Sequence, residues 1–182
     1  MSIMDWIWNK INLTRKKVNY GSNLELYGKV HIHGSKGKIS IGNNCKIVSK
    51  EDKNPTAGGH PTHLVAGNKG KILIGNNVGM SYAYITSYCS VIIEDNVMLG
   101  ADVKIWDTDF HPVNYNDRMR NLAGAARPVH IKEGVFVGAC SIVLKGVTIG
   151  EHSVIGAGSV VTHDIPPNEV WAGNPAVFVR KI

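Results

Sequence analysis

Between Ile105 and Arg120 runs a polar, aromatic stretch, Ile105-Trp-Asp-Thr-Asp-Phe-His-Pro-Val-Asn-Tyr-Asn-Asp-Arg-Met-Arg120, with no apolar period. It holds Asp107, Asp109 and His111 in the pattern Asp-x-Asp-x-His. An imidazole titrates near neutral pH and can take a proton from an attacking group. The same residue types also serve a plain loop, the histidine as surface decoration and the aspartates as Asx turns. A second candidate is Gly58-Gly59-His60-Pro61-Thr62-His63. Its His-x-x-His pair could bind a metal, but no third ligand stands nearby, so no metal site is expected. Cys45, Cys89 and Cys140 are far apart, odd in number and without metal spacing. They are expected as small core residues in a reducing, cytoplasmic setting.

The element that must position these groups repeats every six residues. From Ile131 to Ile165 one column reads Ile131, Val137, Val143, Ile149, Ile155, Val161, all β-branched. The column four places later, Val135, Ser141, Val147, Ser153, Ser159, Ile165, is small or β-branched. A period of six fits neither an amphipathic helix nor an alternating strand. It predicts a solenoid in which each unit buries its face on its neighbours. Three short strands with corners close one triangular coil, and glycine and asparagine at the corners supply positive φ. The expected fold class is all-β, a left-handed parallel β-helix, the hand being that of known hexapeptide repeats.

Ile39-Ser-Ile-Gly-Asn-Asn-Cys45 is echoed from Ile72, Val91, Val129 and Val147, one equivalent corner per coil. Ile41 to Ile74 is 33 residues, which implies a loop of 15 extra residues within Ser49 to Gly70. The predicted organisation is a helical cap over 1–19, the β-helix over 20–165 with insertions at about 49–70 and 107–128, and a tail over 166–182. Ile165-Pro166-Pro167 stops the repeat. In the cap, Ile3, Ile7 and Ile11 lie at helical spacing. The helix is expected to cover the strand edges of the first coil or to dock on an anionic membrane surface.

The net charge of +6 is lopsided: residues 1–71 hold 12 Lys/Arg against 4 Asp/Glu, residues 72–182 hold 8 against 10. That points to an anionic partner, a nucleotide-sugar, a lipid-linked phosphate or a membrane surface, or else to a solvated lysine-rich face. No nucleic-acid motif accompanies it. No apolar run is long enough for a transmembrane helix, and Asp5, Asn9, Lys10 and Asn12 interrupt any signal-peptide core.

Three motifs resemble the hexapeptide-repeat O-acetyltransferases of galactosides, maltose, nodulation factors and surface polysaccharides. They are Phe110-His111-Pro112-Val113, then Ile155-Gly-Ala-Gly-Ser-Val-Val-Thr162 with Asp164-Ile-Pro-Pro167, then Gly173-Asn-Pro-Ala176 before Arg180. The resemblance covers about Ile74 to Ile182. It implies an acetyl-CoA donor, no required metal, a saccharide hydroxyl as acceptor, and His111 as the general base. It implies a homotrimer with active sites between subunits. One of Asp107 and Asp109 would hold the imidazole tautomer and the other would bond the sugar. By position, Ala139, Ala157, Thr162 and His163 would line the pantetheine groove, with Arg180 and Lys181 as phosphate contacts. Ser87 and Tyr88 are expected at the acceptor. His163 departs from the family's lysine, and the serine often found at position 139 is absent.

No cysteine or serine is placed as a nucleophile, so direct transfer fits better than an acyl-enzyme. Alternatives on the same fold are an N-acetyltransferase of amino-sugar nucleotides and a zinc hydratase similar to the γ-type carbonic anhydrases. His31, His33, His60 and His63 would be the hydratase's candidates, but no spacing supports them.

Overall fold

Short strands of three faces alternate along the chain and return to the same face every third strand. The computed structural model describes residues 2–34, 36–56 and 59–182. On the first face Asn19–Tyr20, Ile39–Ile41, Ile72–Ile74, Val91–Ile93, Val129–Ile131 and Thr148–Ile149 stack in order. On the second, Glu25–Gly28, Lys46–Ser49, Gly79–Ser81, Met98–Leu99, Phe136–Val137 and Val154–Ile155 stack, followed by Glu169–Ala172 and Val177–Lys181. The third stacks Val30–Gly34, Thr62–Ala66, Tyr84–Ser87, Lys104–Trp106, Ile142–Val143 and Val160–Val161. Among the described residues these strands pair parallel except the last on the second face, where Val177–Lys181 runs back along Glu169–Ala172.

The expected register holds. Ile131 pairs with Ile149, Val137 with Ile155 and Val143 with Val161, and all six side chains are fully buried. The five echoed corners stack on the first face, Ile39 on Ile72, Ile72 on Val91 and Val91 on Val129. Their sixth residues, Asn44, Asn77, Asn96, Gly134 and His152, all have φ between 56° and 67°. Asparagine tolerates this region because its short side chain bonds locally. Here the amides bond from coil to coil instead. Asn23 Nδ2 donates to Asn44 Oδ1, Asn44 to Asn77, Asn77 to Asn96, and Asn96 to Glu133 Oε1, at 3.0–3.2 Å. The buried serines of the small column donate to backbone: Ser141 and Ser159 to Gly156 O, Ser153 to Pro166 O.

Three expectations are corrected. The 49–70 insertion is shorter: the excursion spans 50–61, and Thr62–Ala66 is a third-face strand with Thr62, Leu64 and Ala66 inward. Its period of two was hidden among glycine, proline and histidine neighbours. Gly58 lies outside the described residues. The N-terminal helix α1 (Ile3–Arg15) does not dock through its isoleucines. Asn9 and Leu13 face the coil, and Asn9 closes its edge by donating to Gly28 O and accepting from Val30 N, both at 2.9 Å. Ile3, Ile7 and Ile11 remain 45–78% exposed. Only Cys45 is a core cysteine; Cys89 is half-buried and Cys140, at a corner with φ 60°, is exposed. Of the tyrosines on the next coil, Tyr82 is buried, Tyr84 stacks on His63, and Tyr88 faces solvent.

Candidate active site

The loop that leaves strand Lys104–Trp106 is tied at its neck. Arg127 N donates to Asp107 O and Asp109 N to Ala125 O, both at 2.9 Å, and Thr108 bridges Ala126. Beyond the neck, Asn114 caps the short helix α2 (Tyr115–Met119) by accepting from Asp117 N. Arg118 reaches back to the carbonyls of Pro112 and Val113 at 2.9 and 2.8 Å. The excursion is therefore an ordered platform.

Asp107 is fully buried at the root of this loop. Its carboxylate accepts from Ser87 Oγ at 2.7 Å, Tyr88 N at 2.7 Å and Cys89 N at 2.8 Å. Ser87 is buried too, and its Oγ also accepts from Lys71 N. The sequence predicts acceptor contacts for both residues. The structure instead bonds them to each other, because buried polar groups need hydrogen-bond partners. Asp109 pairs with Lys145 Nζ at 2.6 Å. Neither aspartate is bonded to the His111 ring, so the tautomer-holding carboxylate expected from the sequence is not present in this arrangement.

His111 itself is exposed and follows a tight turn. Its N–H donates to Asp109 O at 2.6 Å across Phe110, whose φ is 60°. Gly124 lies against this turn: a Cβ there would meet the His111 backbone nitrogen at 2.8 Å. The Phe110 ring meets Tyr88 and Trp106 edge-on, centroids 6.2 and 5.9 Å apart. Tyr88, Phe110 and Thr108, with Lys69 and the backbones of Gly67 and Gly124, line a cleft of about 520 Å³. Of the two residues expected at the acceptor, Ser87 and Tyr88, Tyr88 thus borders a cleft. Lys69 and Gly67 were not foreseen; they follow a strand that the sequence hides inside a loop.

The expected donor-groove residues lie on the outer wall of the last coils. Ala101, Ala139 and Ala157 form one corner column: Cys140 N donates to Ala101 O and Gly158 N to Ala139 O, both at 2.8 Å. Gly138 lets the coils meet, since a Cβ there would lie 2.5 Å from Ala157 N. Thr162 and His163 are exposed just past Val160–Val161, with Thr162 Oγ1 2.7 Å from His163 Nδ1. The turn Gly173–Ala176 closes on the strand Val160–Val161 through Val160 N to Gly173 O and Ala176 N to Val160 O. Arg180 is exposed on the terminal strand opposite Val170.

The histidines do not sort as the sequence suggests. His60 leaves His63 and bonds Asp102 at 3.1 Å. Asp102, raised by burial but lowered more by Lys104 and His60, sits below the usual carboxylate range. His31, His33 and His63 come together instead. Burial first, then the neighbouring imidazoles, push His63 down to about 4.

The family model described as bacterial transferase hexapeptide (six repeats) matches residues 128–163, and that for the hexapeptide repeat of succinyl-transferase matches 90–105. Galactoside O-acetyltransferase of Lactococcus lactis is 49% identical over 92 residues, 50% of this chain and 44% of that protein. The chain therefore spans less than half the length of that curated relative. A solved galactoside acetyltransferase in complex with coenzyme A is 30% identical, with a TM-score of 0.61 over 93% of this chain and 68% of that one. AntD, an N-acyltransferase from Bacillus cereus solved with dTDP-4-amino-4,6-dideoxyglucose and coenzyme A, gives a TM-score of 0.73 at 20% identity. It covers 100% of this chain and 89% of its own, and shows the fold. With coil, loop and turn in place, this chain belongs to the hexapeptide-repeat acetyltransferase family.

Proposed function

We propose that the protein transfers an acetyl group from acetyl-CoA to a hydroxyl of a saccharide acceptor in surface polysaccharide synthesis. His111 Nε2 takes the hydroxyl proton as the oxygen attacks the thioester carbonyl. The carbon–sulfur bond breaks, and the thiolate leaves as the free thiol of coenzyme A on gaining a proton. The observation that carries this reading is His111, exposed on an ordered loop beside the cleft of Tyr88 and Phe110. The 30% identity to a galactoside acetyltransferase bound to coenzyme A supports the donor.

The same reading makes the coil left-handed, with a cap to residue 19, a coil over 20–165 and a tail over 166–182. It places the donor along Ala139, Ala157, Thr162, His163 and Arg180. A homotrimer completes the site, since these residues and His111 lie on the open surface of a single chain. The protein works in the cytoplasm. The exposed Ile3, Ile7 and Ile11 of α1, with Lys10 and Arg15, suit contact with an anionic membrane face. Among the described residues no helix is long and apolar enough to cross a membrane.

The test incubates the protein with acetyl-CoA and a panel of sugars, nucleotide-sugars and polysaccharide fragments, following thiol release. Release with a hydroxyl acceptor supports the reading. Release only with amino-sugar nucleotides makes it an N-acetyltransferase, and failure to bind coenzyme A by calorimetry overturns it.

A further inference from the structure

On the third face, two neighbouring strands alternate in step. Val30 and Ile32 point into the core, which turns His31 and His33 outward. Thr62, Leu64 and Ala66 point inward, which turns His63 outward. The register sets His31 against His63 and His33 against Val65. Two imidazoles thus come from alternate positions of one strand and a third from directly across. Ring centroids are 4.9 Å apart for His31 and His63, 5.8 Å for His33 and His63, and 6.0 Å for His31 and His33. One ring nitrogen from each lies within 4.8 Å of the other two.

We propose that His31, His33 and His63 form a binding site for a borderline-soft divalent cation, Zn2+, held by three imidazole nitrogens with water completing the shell. Zinc–nitrogen bonds of about 2.0–2.1 Å at tetrahedral angles need ligand nitrogens about 3.3 Å apart. The rings reach that by closing about 1.5 Å, a matter of side-chain rotation on a fixed backbone. The donor set is all nitrogen, which suits zinc, copper or nickel and not calcium or magnesium. Trp8 of α1 stands 5.4 Å from His31, and Tyr84 stacks on His63 at 4.2 Å, so the rings are walled on two sides. The site is separate from the His111 loop, which leaves the same face from strand Lys104–Trp106, two strands further along from Thr62–Ala66. His60, engaged with Asp102, is not part of it.

The rival account is a stack of aromatic rings with no ion, and binding separates the two. The untagged full chain, stripped of metal, is titrated with Zn2+ against a chromophoric chelator. One ion per chain is expected. His33→Ala removes an exposed ring without touching the core and should weaken binding by at least the roughly 10-fold that loss of an outer-shell partner costs. His63→Gln should do the same, while His60→Ala leaves binding unchanged. Co2+ should give visible d–d bands in the parent chain that vanish in His33→Ala. The proposal is overturned if the parent chain takes up no stoichiometric Zn2+, or if His33→Ala and His63→Gln bind it as tightly as the parent.

Discussion

The backbone N–H of His111 donates to the carbonyl of Asp109 at 2.6 Å, closing a turn around a single residue, Phe110. Phe110 takes φ 60° to allow it, a conformation that non-glycine residues adopt only under local constraint. The constraint is visible: the Phe110 ring is pinned by Tyr88 and Trp106, and Gly124 leaves no room behind the turn. The turn therefore aims the imidazole outward, and the aspartate that precedes it acts through its backbone.

If His111 is the base, His111→Ala should keep the fold and coenzyme A binding while turnover falls roughly 10²–10⁴-fold. Steady-state kinetics on an acceptor from the panel, with calorimetry for the donor, checks both halves. Unchanged turnover would remove His111 from the mechanism.

Asp107→Ala should instead act on stability. It leaves Ser87 Oγ, Tyr88 N and Cys89 N without their acceptor. A cost of roughly 1–3 kcal/mol follows from orphaned buried donors, read as a lower denaturation midpoint. An unaltered midpoint with a raised KM for the acceptor would return Asp107 to the substrate.

Asn9→Ala should loosen the cap. Asn9 is 4% exposed and holds both Gly28 O and Val30 N. Loss of roughly 1–3 kcal/mol is expected, against about 0.5 kcal/mol or less for Asn12→Ala, whose amide bonds only within α1, to Trp8 O. Equal melting of the two variants would show that α1 does not close the coil through Asn9.

Glu94 links two coils through His130 and the backbone of Glu133, at 2.6 and 3.0 Å. Burial raises its pKa, but the bonds from His130 and Glu133 and the charges of His130 and Lys132 outweigh this and hold it below the ordinary range. Its ionised form therefore favours folding. That contribution is present above the unfolded value, about 4.3, and is lost as pH falls through the lower folded value. Melting curves should show the parent chain more stable than Glu94→Gln at neutral pH, with the gap closing in acid. A gap that stays constant down to pH 3 would contradict this.

What the sequence reveals depends on whether a position sits inside the repeat. Ile131, Val137 and Val143 are legible because stacking returns the same side chain to the core every coil. The corner asparagines are legible for the same reason. His31 and His63 are not, because the 50–61 excursion resets the count and their meeting depends on its length. The isoleucines of α1 mislead because a stripe at helical spacing says which residues share a face, not which face is covered. Ser87 and Asp107 look like pocket residues by type; only the fold shows that they bond each other out of reach of solvent.

The row of amides along the asparagine corner runs one way. Each Nδ2 from Asn23 to Asn96 points toward the higher-numbered coil, so the bond dipoles align head to tail and strengthen one another. The row ends at Glu133, whose Oε1 accepts the last of these bonds and which carries no amide to pass the row on. Glu133 is thus a terminator. Coils inserted before it could lengthen the row with one asparagine each. Glu133 gives this row of amides a polarity and a last rung.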